Sequence, residues 1–261
     1  MQTDDLNHIT SKLAEFGVLH KLAGARILVT GGTGFLGRYM EMPALNVTRI
    51  GSDGYHDALD GDWDYIIHMA PFPPDGMLAT AHRCGARFML VSSGAVYDYA
   101  LTNLSEEKTQ YEFAVRRSTV DSVIARVFTV AGYGAPRRRF ALDTFIRQAM
   151  TGQDVTVYHG GQSVRSYLYG ADLAIWLWVI LAEGDNDYYD VGSWSAVTIG
   201  DVAHKIADRY DVGVWSVNAN NCDPRPNYLP QLVNSLELGL REWVPFDMAL
   251  DRTIREYDNE N

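Results

Sequence analysis

The sequence predicts an α/β domain of the doubly wound kind, a parallel sheet with helices on both faces, joined to a small mixed α/β C-terminal lobe. Two patterns carry this. Short apolar runs of strand length alternate with helix-patterned stretches, and a glycine-rich turn follows the first of those runs at once. Size agrees: 261 residues, 47% of them hydrophobic, suffice for one such core with a lobe and are too apolar for a disordered chain.

Residues 1–24 place Ile9, Leu13, Phe16 and Leu19 at near-helical spacing and read as a helical extension outside the domain. ARILVT at 25–30 reads as a buried parallel strand. GGTGFLG follows, and RYMEM continues as a helix that Pro43 must end. A second strand is expected at 47–50, and 51–64, rich in Gly and Asp, reads as a loop. YIIHMA at 65–70 is the next strand, before the proline-broken PFPPDG and a short helix at 77–83. RFMLVSS at 87–93 and SVIARVF at 122–128 are strands flanking a helix at 105–117.

The second half is mixed. Helices are expected at 144–151, 171–183, 198–210 and 246–257, with Thr198 as a cap, a strand at 154–159 and an irregular PRPNYLP at 224–230. No linker of disordered composition separates the halves. The expected division is an extension at 1–24, a main domain at 25–150 and a lobe at 151–261 interleaved with it.

Charge and cysteine usage narrow the function. With 22 Lys and Arg against 33 Asp and Glu the net charge is −11, which leaves no basic footprint for nucleic acid or an anionic membrane. The apolar run at 173–182 is far shorter than a membrane span. Cys84 and Cys222 are too few for a disulfide framework or a zinc cluster, and no metal site is expected. The polar, acidic MQTDDLNHIT is unlike a secretory signal, so the expected location is the cytoplasm.

Gly32-Thr33-Gly34-Phe35-Leu36-Gly37 matches the dinucleotide fingerprint in its required setting, after a strand and before a helix. Its glycines permit a tight turn, close approach of the backbone to a pyrophosphate, and close helix packing. The free N–H groups of the helix would then face the phosphates. Asp53 follows Gly34 by about the 20 residues at which an acid grips the adenosine ribose. Arg49 and Ser52 beside it could instead take a 2′-phosphate, so NAD and NADP both stand, NAD ahead.

TGGTGFLG, YIIHMA, VSSGAVY, ARVFTVAGYG, VRSYLYGADLA and YDVGS occur in the order seen in the extended short-chain dehydrogenase/reductases. More narrowly, residues 25–257 resemble the NAD-dependent epimerase/dehydratase family that modifies nucleotide sugars. The resemblance implies a Rossmann-like fold with NAD(P) on Gly31 to Gly37, that is Gly31, Gly32, Thr33, Gly34, Phe35, Leu36 and Gly37. Asp53, Met69, Ala70 and Tyr111 would complete that cofactor site. It also implies a lobe that holds a nucleoside-diphosphate sugar, and a homodimer formed through paired helices of the main domain. In such enzymes a hydride leaves a sugar carbon, usually C4, while a tyrosinate takes the hydroxyl proton.

Matched residue by residue, Ser93 falls where the family orients the substrate hydroxyl. Gly94 and Ala95 stand where 4,6-dehydratases carry an Asp-Glu pair, so an epimerase or ketoreductase is expected instead. The family's YxxxK fits in two registers. With Lys108 as the lysine, Leu104 takes the tyrosine's place; with Tyr111 as the tyrosine, Val115 takes the lysine's. The second register, YEFAVRR, is closer to the family pattern and is preferred. Tyr111 is then the catalytic phenol and Lys108, three residues earlier on the same helical face, its helper. Tyr99 is a weaker substitute.

Arg165 and Arg225 match arginines near the substrate diphosphate, which guanidinium forks suit. Thr129 stands where many relatives have Asn, and Asp172 reads as a cap or a partner for Arg165. The alternative function is a non-catalytic protein that retains cofactor and nucleotide-sugar binding. The chain is short for this family, with the trimming expected in the first helix, after Ala70, and between Tyr97 and Tyr111.

Overall fold

The computed structural model describes residues 3–97, 103–135, 140–185, 188–217 and 227–259. Tyr99, Arg225 and the basic residues 137–139 lie outside them. The chain opens with α1 (Thr3–Glu15), α2 (Val18–Lys21), β1 (Arg26–Thr30), a 3-10 turn at Gly37–Met40, β2 (Asn46–Ile50) and α3 (Tyr55–Leu59). β3 (Tyr65–His68), α4 (Asp75–Cys84), β4 (Arg87–Ser93), a second 3-10 turn at Gly94–Tyr97, α5 (Asn103–Arg117) and β5 (Ser122–Val127) follow. Then come β6 (Thr129–Ala131), α6 (Ala141–Met150), β7 (Val155–Tyr158), β8 (Val164–Tyr169), α7 (Gly170–Glu183) and β9 (Tyr188–Val191). The last elements are β10 (Ala196–Thr198), α8 (Ile199–Tyr210), β11 (Val214–Val217), α9 (Val233–Glu237) and α10 (Phe246–Asp258).

These elements form two units, one of residues 1–127, 170–191 and 231–241, the other of 128–169, 192–230 and 242–261. The division differs from the expected 25–150 and 151–261. β5 leaves an open parallel edge that β9 fills, so α7 and β9 return to the first unit.

The first unit is the doubly wound sheet read from the sequence. Its order is β2-β1-β3-β4-β5-β9, and every pairing is parallel. The chain steps from β1 to β2 on one side and then to β3 on the other. The order therefore reverses between β1 and β3, the place where such sheets bind ligands. On one face α4 and α5 bury Met77, Ala81, Tyr111 and Val115 against Leu28, Ile66, Phe88 and Ile124. On the other, α7 is buried all round from Gly170 to Ala182, packing on β4, β5 and β9. The amphipathic α1 covers α7 with Ile9 and Leu13, and His8 meets Asp172 of α7 at 3.0 Å.

In the second unit β8 pairs antiparallel with β10 and parallel with β6, while β7 and β11 form a separate parallel pair. α6 and α8 pack on each other and on β7, and α10 packs on β6 and β8. Thr198 caps α8 as expected, its hydroxyl accepting from the Asp201 N–H at 3.0 Å.

Two expectations are corrected. RYMEM makes no α-helix: only Gly37–Met40 turns, and as a 3-10 turn, because Pro43 leaves no room for an α-helical hydrogen-bond ladder. The presumed loop at 51–64 contains the single turn of α3, seated by Ala58 in the core. Among the described residues no helix is long and apolar enough to cross a membrane, and no three His, Cys, Asp or Glu side chains cluster so as to hold a metal ion.

Candidate functional site

The glycine loop leaves the carboxyl end of β1 at the switch point. Gly31 takes a left-handed φ of 69°, and a Cβ there would stand 2.9 Å from the Ala70 nitrogen and the Met69 carbonyl carbon. Only glycine lets the loop press on the end of β3 in this way. The loop is tied to β2 by the Gly32 N–H, which donates to the Ile50 carbonyl at 2.8 Å, and it closes on itself through the Gly34 N–H to the Gly31 carbonyl at 3.0 Å. Thr33 and Gly34 are exposed at its tip, and Phe35 and Leu36 are half-buried behind it.

Below the loop lies a polar chain the sequence reading missed. The Ala70 N–H donates to Thr30 Oγ1 at 3.4 Å, and Thr30 Oγ1 lies 2.9 Å from His68 Nδ1. His68 Nε2 lies 3.0 Å from the Phe72 carbonyl, which can only accept. Nε2 therefore carries the proton, leaving Nδ1 to accept from the Thr30 hydroxyl. Burial pushes the His68 imidazole down to about 4, and the nearby charge of Lys108 acts in the same direction. His68 is thus a neutral clasp joining β1, β3 and the proline loop. Its one signal in the sequence was a polar residue ending an otherwise apolar strand.

Asp53 stands three residues past β2. A Cβ on Gly51 would sit 2.9 Å from both Asp53 Oδ1 and Thr33 Oγ1, so the carboxylate and the loop hydroxyl flank one point. Arg49 is committed elsewhere. Its Nη1 donates to the carbonyls of Gly32 and Gly37 at 3.3 and 3.4 Å, and its Nη2 meets Glu41 at 3.0 Å.

At the end of β4, Ser93 Oγ accepts from the Ala95 N–H at 3.2 Å, and the turn Gly94–Tyr97 brings no carboxylate. On α5, Tyr111 is 8% exposed and packs in the core beside Val115. Burial raises its phenol, as do the charges of Glu107 and Asp75 and a hydrogen bond with Glu107. Lys108 lies with Nζ 5.1 Å from the centre of the Tyr111 ring, and burial lowers its ammonium against the opposing charge of Glu107. Leu104 is 45% exposed. In the second unit Arg165 of β8 donates to the Val164 carbonyl at 2.8 Å, and its guanidinium faces the Tyr228 ring at 5.9 Å.

The comparisons with known proteins agree with this architecture. Residues 74–192 match the NAD dependent epimerase/dehydratase family. Over 308 aligned residues the chain is 24% identical to UDP-glucuronic acid decarboxylase 1 of Xenopus tropicalis, covering 90% of this chain and 72% of that protein. The fold is similar to that of dTDP-glucose 4,6-dehydratase from Bacillus anthracis in complex with NAD, with a TM-score of 0.76, 15% identity, and coverage of 90% of this chain and 97% of that one. It is similar also to UDP-N-acetylglucosamine 4-epimerase from Methanobrevibacter ruminantium in complex with UDP-N-acetylmuramic acid, with a TM-score of 0.76, 18% identity, and coverage of 91% and 99%. On a Rossmann-like parallel sheet, the chain is thus similar to the NAD dependent epimerase/dehydratase family over residues 74–192.

Proposed function

We propose that the first unit binds NAD across the carboxyl ends of β1 and β3, and that the chain acts with it on a nucleoside-diphosphate sugar as an epimerase or ketoreductase. The observation that carries this reading is the seat of the glycine loop at the switch point, where Gly31 presses on Met69 and Ala70. That close seat leaves the exposed Thr33–Gly34 tip of the loop at the switch point, where a pyrophosphate can approach the backbone. NAD, when bound there, supplies the hydride acceptor. Asp53 beside Thr33 supports a ribose contact, and the commitment of the Arg49 fork to loop carbonyls favours NAD over NADP. The absence of carboxylates at Gly94 and Ala95 disfavours a 4,6-dehydratase.

The proton work is assigned to Lys108 rather than Tyr111. A general base needs a pKa near the working pH. Burial moves the lysine down toward that range and the phenol up, away from it. Ser93 orients the substrate hydroxyl in this scheme. Arg165 and Arg225 hold the diphosphate, and two copies of the chain associate as a homodimer. Phe113, 59% exposed on α5, provides an apolar group for that pairing, which analytical ultracentrifugation tests.

A second reading has its own observation. In the register set by Lys108 the tyrosine position is Leu104, half-exposed and without a proton to give. That favours a protein that binds cofactor and sugar nucleotide without turnover. Calorimetric titration with NAD and UDP-sugars, followed by an assay of the sugar product, separates the readings. Binding with turnover supports the enzyme, binding without turnover the second reading, and no binding of either ligand removes both.

A further inference from the structure

The family fingerprint relies on a helix after the glycine loop, whose aligned N–H groups and dipole favour the pyrophosphate. Here that helix is a 3-10 turn of four residues, Gly37–Met40, too short to build a macrodipole. A dianionic group on this loop needs its positive potential from elsewhere.

The geometry points to Arg49. Its guanidinium bridges the two ends of the fingerprint from below, donating to the carbonyls of Gly32 and Gly37 at 3.3 and 3.4 Å. The approach is built in: a Cβ on Gly32 would lie 2.6 Å from the Arg49 Cβ, so any larger residue would push the arginine off the loop. Holding these carbonyls fixes a positive charge against the loop, whose Thr33–Gly34 tip is exposed. Its Nη2 contacts Glu41 at 3.0 Å, but the Glu41 side chain is the more exposed partner, and solvent screens its charge more effectively.

We propose that Arg49 is the positioning residue of the pyrophosphate subsite, substituting a fixed guanidinium beneath the loop for the missing helix N-terminus. The proposal rests on the dinucleotide reading of the site. It differs from a structural ion pair in one respect that can be measured. If the Arg49–Glu41 pair only braced the loop, removing either partner would weaken binding alike. If Arg49 acts by charge, Glu41→Gln removes a competing anion and must act in the opposite direction.

The test is calorimetric titration of the full chain with NAD, ADP-ribose and adenosine at low and high salt, for wild type, Arg49→Met, Arg49→Lys and Glu41→Gln. Arg49→Met is expected to weaken NAD and ADP-ribose about tenfold at low salt, with a smaller loss at high salt and no change for adenosine. Arg49→Lys should recover part of the affinity, and Glu41→Gln should tighten it. Equal weakening by Arg49→Met and Glu41→Gln, or weakening of adenosine together with ADP-ribose, overturns the proposal and leaves the dinucleotide site standing. Failure of wild type to bind NAD or ADP-ribose overturns the site and the proposal together.

Discussion

Arg126 of β5 grips Glu112 of α5 with both arms of its fork, Nε at 3.0 Å and Nη2 at 2.7 Å, while Ser92 Oγ of β4 donates to the same carboxylate at 2.7 Å. The guanidinium also lies over the Tyr188 and Tyr97 rings, at 3.9 and 4.7 Å, and Tyr97 donates to Asp190 at 2.9 Å. This buried network fixes α5 against the carboxyl ends of β4, β5 and β9. Lys108, one helical turn before Glu112, inherits its direction from that anchor.

Breaking the pair from one side leaves a buried, uncompensated charge. Arg126→Met should therefore destabilise the fold by about 3–5 kcal/mol, while Arg126→Met combined with Glu112→Leu recovers most of the loss. Urea denaturation of the two single variants and the double variant reads the coupling directly. Additive losses would mean that the ion pair is not what holds α5.

His68 makes the fold acid-sensitive. Its imidazole titrates near 4 in the folded chain, against about 6.5 when unfolded. Between those values the unfolded chain binds the extra proton, so stability falls as pH drops from about 6.5 to about 4 and is flat in this respect below that. The contribution amounts to roughly 3 kcal/mol over the window. His68→Gln, which cannot titrate, should start less stable at neutral pH and lose less on acidification. Parallel pH profiles for variant and wild type would show that His68 is not the sensor.

Much of the first unit was legible because its strands are continuous apolar runs and its loop is written in glycines. ARILVT, YIIHMA and RFMLVSS became β1, β3 and β4 with ends shifted by no more than two residues. The turn after the loop was misread because helical pattern is a local signal, whereas the space left before Pro43 decides whether a helix can close its hydrogen bonds. β8 went unassigned because VRSYLY mixes polar and aromatic residues and is a strand only through its partners Thr129–Ala131 and Ala196–Thr198. Lys108 and Tyr111 lie less than one helical turn apart, so spacing could not say which would sink into the core. That is decided by Arg126, which lies 14 residues from Glu112 in the chain and on a different element.

Asp53 gives a cofactor prediction. A carboxylate beside Thr33 can accept from a ribose hydroxyl but repels a 2′-phosphate. Asp53→Ser should weaken NAD about tenfold and narrow the gap to NADP, as it removes both a hydrogen-bond acceptor and a like charge. Fluorescence titration with both dinucleotides checks this, and an unchanged NAD/NADP ratio would place the ribose elsewhere.

The assignment of proton work to Lys108 is the sharpest prediction, because the family pattern gave that role to Tyr111. Tyr111 is 8% exposed, and its phenol is held above its ordinary range by burial and by Glu107. Under this proposal Tyr111→Phe removes a hydroxyl bonded to Glu107 and leaves the base in place, so turnover should stay within about threefold of wild type. Lys108→Met removes the only group of the two that burial shifts toward neutrality, and turnover should fall by about two to four orders of magnitude. The pH profile adds a readout that packing damage would not mimic. Rate should rise with pH as the ammonium loses its proton, with a midpoint below that of an ordinary lysine, and the rise should vanish in Lys108→Met. If instead Tyr111→Phe abolishes turnover while Lys108→Met retains the alkaline rise, the phenol is the base and α5 must reorient to expose it.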